Sequence, residues 1–379
     1  MIARRVMQFA ALACLAAGCF KMNVNLNAGS DGGEGGSNPG GDAPSQLPAS
    51  GGGSWKDIAI DTAGQIFTAA ERGAIFYAYD TLAYPLEPVQ LTARVQSAKT
   101  FRAIEEVTVG FYQDSALVGS AKTDKDGHAS MEWTPPKAGD YQFTAKIVGV
   151  PDDDYEALLQ ITPAPLLVSA RHKDTDFVVI DLDHTLVDSS FFRVLTGGAK
   201  PMAESVRVTK RIAERYSIIY LTHRPDLLTR KSKSWLKDNG YPAGPLLVSE
   251  LKDAFGDSGK FKTAKLAAVR KSFKNIRIGI GDKPSDAQAY VDNGLVAYLI
   301  PDYKEKPKDL RKAASQIERL RDRDRLNVVS DWEQIEAGIF QTRKFPPKAF
   351  AAALKRQADQ LDAEEQERKR REKEREEDD

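Results

Sequence analysis

Phe177-Val178-Val179-Ile180-Asp181-Leu182-Asp183-His184-Thr185 is a run of four apolar residues that opens, without alternation, into a polar cluster. An unbroken apolar run of this length is the mark of a strand buried on both faces, and such strands build parallel sheets covered on both sides. The pattern recurs at 218–221, 246–248, 276–280 and 296–300, with helical segments near 202–215, 226–238, 261–273 and 284–293 between them. Strands alternating with helices predict an α/β doubly wound parallel sheet. Asp331-Trp332-Glu333 through Ile339 reads as a closing helix with Asp331 as its N-cap.

Three of these strands end in polar signatures. The first ends in Asp181-Leu182-Asp183-His184-Thr185, the second in Thr222-His223-Arg224-Pro225, and the fourth in Asp282-Lys283-Pro284-Ser285-Asp286. In open α/β sheets reactive groups gather outside the carboxyl ends of the strands, so these clusters can meet at one point. A carboxylate at Asp181 can attack phosphorus and form an aspartyl-phosphate. Asp183, two residues on, projects to the same side and can protonate a leaving oxygen and later activate water. Carboxylates facing a phosphate repel it, which calls for a divalent cation, and hard oxygen ligands select Mg²⁺. Asp282 and Asp286 would complete its shell with Asp181 and the backbone carbonyl of Asp183. Thr222 can donate to a phosphoryl oxygen, and a lysine should neutralise developing charge. Lys260, Lys262 and Lys265 precede or open one helix and are all candidates.

These residues resemble the four motifs of the haloacid dehalogenase superfamily, over about 120 residues of the chain. Motif one is Asp181-x-Asp183-x-Thr185, motif two Thr222, motif three a lysine, and motif four Gly281-Asp282-x-x-x-Asp286. The resemblance implies a Rossmann-like fold, a phosphatase activity and Lys262 as the motif-three residue. It further implies that Thr185, His223 and Arg224 contact the substrate. About 35 residues separate motifs one and two, and about as many separate two and three, so neither gap holds a large cap domain. In this superfamily a capless site implies a phosphate on something large. Tyr220-Leu221-Thr222-His223-Arg224-Pro225, Gly244-Pro245-Leu246-Leu247-Val248 and the motif-four line resemble the branch of lipin and actin-patch phosphatidate phosphatases. That implies phosphatidate or a related phospholipid, although His184 stands where lipins carry glycine. Asp181-Leu182-Asp183-His184-Thr185-Leu186-Val187 is also similar to capless carboxy-terminal-domain protein phosphatases, so a phosphoprotein is the alternative substrate.

The remainder of the 379 residues has other compositions. Arg4 and Arg5 precede an apolar stretch too short to span a bilayer, which reads as an export signal. Leu15-Ala16-Ala17-Gly18-Cys19 resembles a bacterial lipobox. That resemblance implies lipid attachment at Cys19, anchoring in the cell envelope, and a signal peptide over 1–19. Both cysteines, Cys14 and Cys19, lie here, so the folded body has no disulfide. Residues 20–54 form a Gly/Ser-rich linker.

Residues 55–165 show the two-residue alternation of half-buried strands, for instance at Val89-Gln90-Leu91-Thr92-Ala93-Arg94-Val95, at 107–112 and at 141–147. Short strands at this spacing predict an antiparallel β-sandwich. The stretch from Thr123 to Tyr141 resembles bacterial immunoglobulin-like domains, which implies a fold and not an activity; a protein or glycan is the partner expected for the β domain. The phosphatase domain is expected over 166–345 and a charged helix or tail over 346–379, where Glu364, Glu365 and Glu367 each have a base four residues on. With 54 basic and 54 acidic residues, the chain lacks the basic excess of a nucleic-acid protein. A non-enzymatic envelope lipoprotein, binding through its β domain, is the remaining alternative.

Overall fold

Alternating burial in the first half of the chain builds two facing sheets. A computed structural model describes residues 70–188, 199–251, 253 and 256–378; the export signal, Cys14, Cys19 and the linker lie outside them. One sheet joins β1 (Ala70–Glu71), β2 (Ala74–Ala78), β4 (Val89–Ser97) and β7 (His128–Trp133) in that order. The other runs β3 (Thr81–Ala83), β9 (Ala164–Ala170), β8 (Gly139–Gly149), β5 (Thr108–Gln113) and β6 (Ala116–Lys122). Leu91, Ala93 and Val95 from the first sheet and Phe111, Phe143 and Ile147 from the second share one buried cluster.

Two expectations need correction. The β3–β9 pair is parallel, Thr81 opposite Val168, so the sandwich is not wholly antiparallel. A three-residue strand carries too little alternation to be read. Furthermore, β9 pairs with β8 through Ala170, so the passage to the parallel sheet comes after that residue and not after 165.

The third sheet is parallel throughout, in the order β12-β11-β10-β13-β14-β15. Its strands are β10 (Phe177–Ile180), β11 (Ser217–Pro225), β12 (Leu246–Ser249), β13 (Ile276–Gly281), β14 (Val296–Leu299) and β15 (Leu326–Val328). The helices are α1 (Ser205–Ala213), α2 (Thr229–Asp238), α3 (Ser258–Ser272), α4 (Pro284–Asp292), α5 (Pro307–Glu318), α6 (Trp332–Gln341) and α7 (Pro347–Asp378).

The unbroken apolar run of β10 is explained by burial on both faces. Phe177 and Val179 join a core with Leu266 of α3, Tyr290 of α4 and Leu310 of α5. Val178 and Ile180 join the opposite core with Val208 of α1, Trp235 of α2 and Trp332 of α6. Full burial of each such side chain stabilises the fold by about 1.5–3 kcal/mol. The Asp331 side chain caps α6 by accepting from the Gln334 amide at 2.8 Å. Helix α7 docks Ala351, Leu354 and Ala358 and then continues as an exposed charged rod. Of the three expected pairs along it, Glu365–Lys369 and Glu367–Arg371 form, at 2.7 and 2.9 Å. No helix among the described residues is long and apolar enough to cross a membrane.

The sandwich and the parallel sheet belong to one compact unit, Gln65–Asp379. Ile75 and Tyr77 of β2 bury with Leu227 and Leu228, which follow β11. Asp80 accepts from the Leu246 amide at 2.9 Å and from the Leu167 amide at 2.7 Å, and pairs with Lys233 at 2.6 Å. Removing Lys233 would leave the Asp80 carboxylate without its ion-pair partner inside this joint, which for a buried pair typically costs about 3–5 kcal/mol.

Candidate active site

Strand order places the site. From β10 the chain moves to β11 and β12 on one side, then crosses back to β13 on the other. That reversal opens a crevice at the carboxyl ends of β10, β11 and β13. Ile180 lies opposite both Tyr220 and Ile280, so Asp181, Thr222 and Asp282 leave neighbouring strands at nearly one level.

Asp181 is 4% exposed, Asp282 3% and Asp286 fully buried. One carboxylate oxygen from each lies within 4.8 Å of the others. Of the three lysines, Lys262 is the one buried against these carboxylates. It is 1% exposed, and its ammonium sits 2.9 Å from Asp181 Oδ2 and 2.6 Å from Asp286 Oδ2. Lys260 is exposed, and the charge acting on Lys265 is that of Glu250.

Local chemistry sets these positions. The Asp257 carboxylate caps α3 by accepting from the Lys260 amide at 2.8 Å. Gly259 lets the start of that helix approach α4: a Cβ there would meet the Ser285 Cβ at 2.8 Å. Gly279 is needed because the Tyr290 ring lies across it; an added Cβ would come within 2.2 Å of the ring. After Asp181 the chain turns sharply, with the Leu186 and Val187 amides donating to the Leu182 carbonyl at 2.8 and 3.0 Å. The turn holds His184 at φ 53°, a left-handed conformation that glycine adopts without strain.

Four acids and bases in so small a volume shift one another. Burial pushes the Asp181 carboxyl up, but the Lys262 ammonium and its hydrogen bond outweigh this and hold it below the usual range. Asp282 has no such partner; burial and then the charges of Asp181 and Asp286 push it well up. Asp286 is raised by burial, with Lys262 opposing. Lys262, despite burial, is driven well above an ordinary lysine by Asp181 and Asp286. Asp282 Oδ1 and Asp286 Oδ1 are buried without a hydrogen-bond partner. Two orphaned carboxylate oxygens beside a third carboxylate fit a hard divalent cation, and Asp181, Asp282 and Asp286 are the residues that would hold it.

Asp183 is not part of that carboxylate group. Both its oxygens accept from Arg224, Oδ2 from Nε at 3.0 Å and Oδ1 from Nη2 at 2.6 Å. Arg224, expected against the substrate, is 4% exposed and gives its Nη1 to Ser232 Oγ at 2.9 Å. Thr185, also expected there, is fully buried with its hydroxyl unpartnered, and its carbonyl accepts from Trp332 Nε1. Thr222 is 1% exposed, and its Oγ1 accepts from the Arg224 amide, leaving the hydroxyl proton for a ligand. His223 is half-buried, 3.1 Å from the Asp253 carbonyl and against the Phe261 ring. Burial lowers its pKa.

Sequence reasoning passed over three residues. Lys283 stands in the motif-four line, and its charge acts on Asp181, Asp282 and Asp286. Its sequence neighbours were the available signal. Ser232 and Asp226, which hold the motif-two segment, gave no local signal.

The crevice thus gathers a lysine-paired carboxylate, a second carboxylate two residues on and two buried acids. Residues 178–300 match the family described as "PITM 1-3, LNS2 domain", which supports the lipin-like branch for this segment. No curated protein matches the chain. Among solved structures, the D00-D0 domain of intimin is 23% identical, with 26% of this chain and 46% of that chain covered at a TM-score of 0.19. The D0-D1 domain of intimin is 18% identical, covering 27% and 56% at 0.19. A β-glucuronidase of Parabacteroides merdae is 14% identical, covering 68% and 34% at 0.26. The chain spans about half the length of the intimin chains it matches, and likenesses this weak carry no argument.

Proposed function

We propose that the chain is a Mg²⁺-dependent phosphatase that opens a phosphate monoester through an aspartyl-phosphate at Asp181. The observation that carries this reading is the buried group of Asp181, Asp282 and Asp286 around Lys262. Asp181, kept ionised by Lys262, attacks phosphorus as the bond to the leaving oxygen breaks, and Asp183 gives that oxygen its proton. Water then attacks the phosphorus of the acyl phosphate, Asp183 takes its proton, and phosphate leaves with Asp181 regenerated. Bound Mg²⁺ would neutralise phosphate charge in the crevice. Thr222 and Lys262 donate to phosphoryl oxygens.

The substrate proposed is a phospholipid such as phosphatidate. Among the described residues, the chain between β10 and β11 holds α1, and that between β11 and α3 holds a short 3-10 turn, α2 and β12, none of them a separate cap domain. The lipin-like match and the lipobox at Cys19 favour a lipid. On this reading the protein is exported and anchored in the envelope by its N-terminus. A phosphoprotein remains the second reading, on the motif-one sequence through Val187. Mixed micelles of phosphatidate and phosphoserine peptides, each with Mg²⁺, separate the two: phosphatidate should be hydrolysed far faster. The reverse order would assign the site to phosphoproteins.

A further inference from the structure

The motif-two segment is held from outside its own domain. Asp226, directly after β11, is fully buried, and its Oδ2 accepts from Tyr79 Oη at 3.0 Å and from Arg94 Nη1 at 3.1 Å. Both donors belong to the β-sandwich. The next helix, α2, is bolted to the same body. Arg230 donates to the carbonyls of Thr162 and Phe76 and pairs with Glu71, at 2.6, 3.3 and 3.0 Å. Lys233 donates to the carbonyls of Ala78 and Pro165 and pairs with Asp80, at 3.0, 2.8 and 2.6 Å. Residues three apart share a helix face, so Arg230 and Lys233 turn together to the sandwich. Ser232, between them, holds Arg224. Arg224 therefore lies between two anchors, Asp226 two residues on and Ser232 on α2, both fixed by the sandwich. Its fork in turn fixes the plane of the Asp183 carboxylate.

We propose that the β-sandwich is a working part of the site: Tyr79 and Arg94 act through Asp226 and Arg224 as positioning residues for the proton-donating Asp183. The inference rests on the phosphatase reading above. A tethered binding module would need none of these buried joints beside the motif-two strand.

The leaving group separates a positioning role from a structural one. Phenyl phosphate needs its departing oxygen protonated, whereas 2,4-dinitrophenyl phosphate does not. General acid catalysis contributes about 10²–10⁴-fold, so partial misalignment of Asp183 should cost about tenfold on the first ester only. The full chain, with Mg²⁺, should lose about tenfold in kcat/KM on phenyl phosphate when Arg94→Met or Tyr79→Phe is introduced. kcat/KM for the dinitrophenyl ester, which reads the phosphorylation step and not the later hydrolysis common to both esters, should stay within about twofold, with Asp183→Asn showing the same split in extreme form. Melting curves establish that the variants fold; if Arg94→Met does not, Tyr79→Phe, which removes a single hydroxyl, decides. Equal losses on both esters, or no loss on either in a folded variant, would overturn the inference alone. A parent that cleaves neither ester would overturn the phosphatase reading itself.

Discussion

Arg224 and Asp183 meet in a two-pronged pair, Nε to Oδ2 at 3.0 Å and Nη2 to Oδ1 at 2.6 Å, with the arginine 4% exposed. A planar fork fixes both the position and the plane of a carboxylate, which a lysine ammonium cannot do. Arg224→Lys should therefore keep the charge and lose the aim. A misplacement of about 1 Å at a reacting group can cost about 10²-fold, so kcat on an aryl phosphate should fall by that order with KM little changed. Steady-state kinetics decide this; parent-like turnover would show that Asp183 needs no such clamp.

The cation can be tested without turnover. Asp282 and Asp286 each carry a buried oxygen without a hydrogen-bond partner, and burial with neighbouring charge pushes Asp282 well up. Mg²⁺ should raise the melting temperature, since a ligand at about 100 times its Kd stabilises by about 2.7 kcal/mol. Asp282→Asn should melt higher than the parent in EDTA, because one of three crowded carboxylates is gone, and should not respond to Mg²⁺. A parent indifferent to Mg²⁺ would argue against the cation.

His184 sits at φ 53° where a glycine would be unstrained, and its ring is 3.4 Å from the half-exposed Asp302 carboxylate. A side chain in the left-handed region costs about 1–2 kcal/mol, offset in part by the entropy that glycine gives up. The exposed pair contributes little. His184→Gly should stabilise the protein by about 0.5–1 kcal/mol, read as a rise of a few degrees in Tm. A fall in Tm would mean that the Asp302 contact matters more than the backbone.

Acid stability has one clear contributor. Glu336 of α6 accepts from Arg207 at 2.9 and 3.0 Å and from Arg211, both on α1, and these hydrogen bonds lower its carboxyl from the ordinary 4.5 to about 2. A lowered carboxyl contributes stability that is complete above its unfolded value and is lost as pH falls through its folded value. The parent should therefore lose stability more steeply than Glu336→Gln between about pH 4.5 and 2. Urea unfolding across that range measures both slopes, and equal slopes would refute the assignment.

The parallel sheet and its site were legible because their signals are local. Phe177–Ile180 and Ile276–Gly281 carry their burial in their composition, and each motif follows its strand directly. Lys262 was narrowed from three candidates only by a resemblance, since Lys260 and Lys265 share its helix; burial separates them. The joint between the domains could not be read. Tyr79 and Asp226 are 147 residues apart, and Asp80 and Leu246 are 166 apart. A buried carboxylate announces nothing about a donor so distant. The two-residue strand β1 is too short to show a pattern, and the docking of α7 rests on the short run Phe350–Leu354 and on Ala358, which lead into a long charged segment.

The central claim is that Asp181 becomes phosphorylated. Acid quenching of the full chain as it turns over a radiolabelled aryl phosphate with Mg²⁺ tests it most directly. Label should appear on the peptide containing Asp181 and be released by hydroxylamine, as an acyl phosphate must be, with no label and no turnover in Asp181→Asn. Label on another residue, or hydrolysis by Asp181→Asn at the parent's rate, would contradict it.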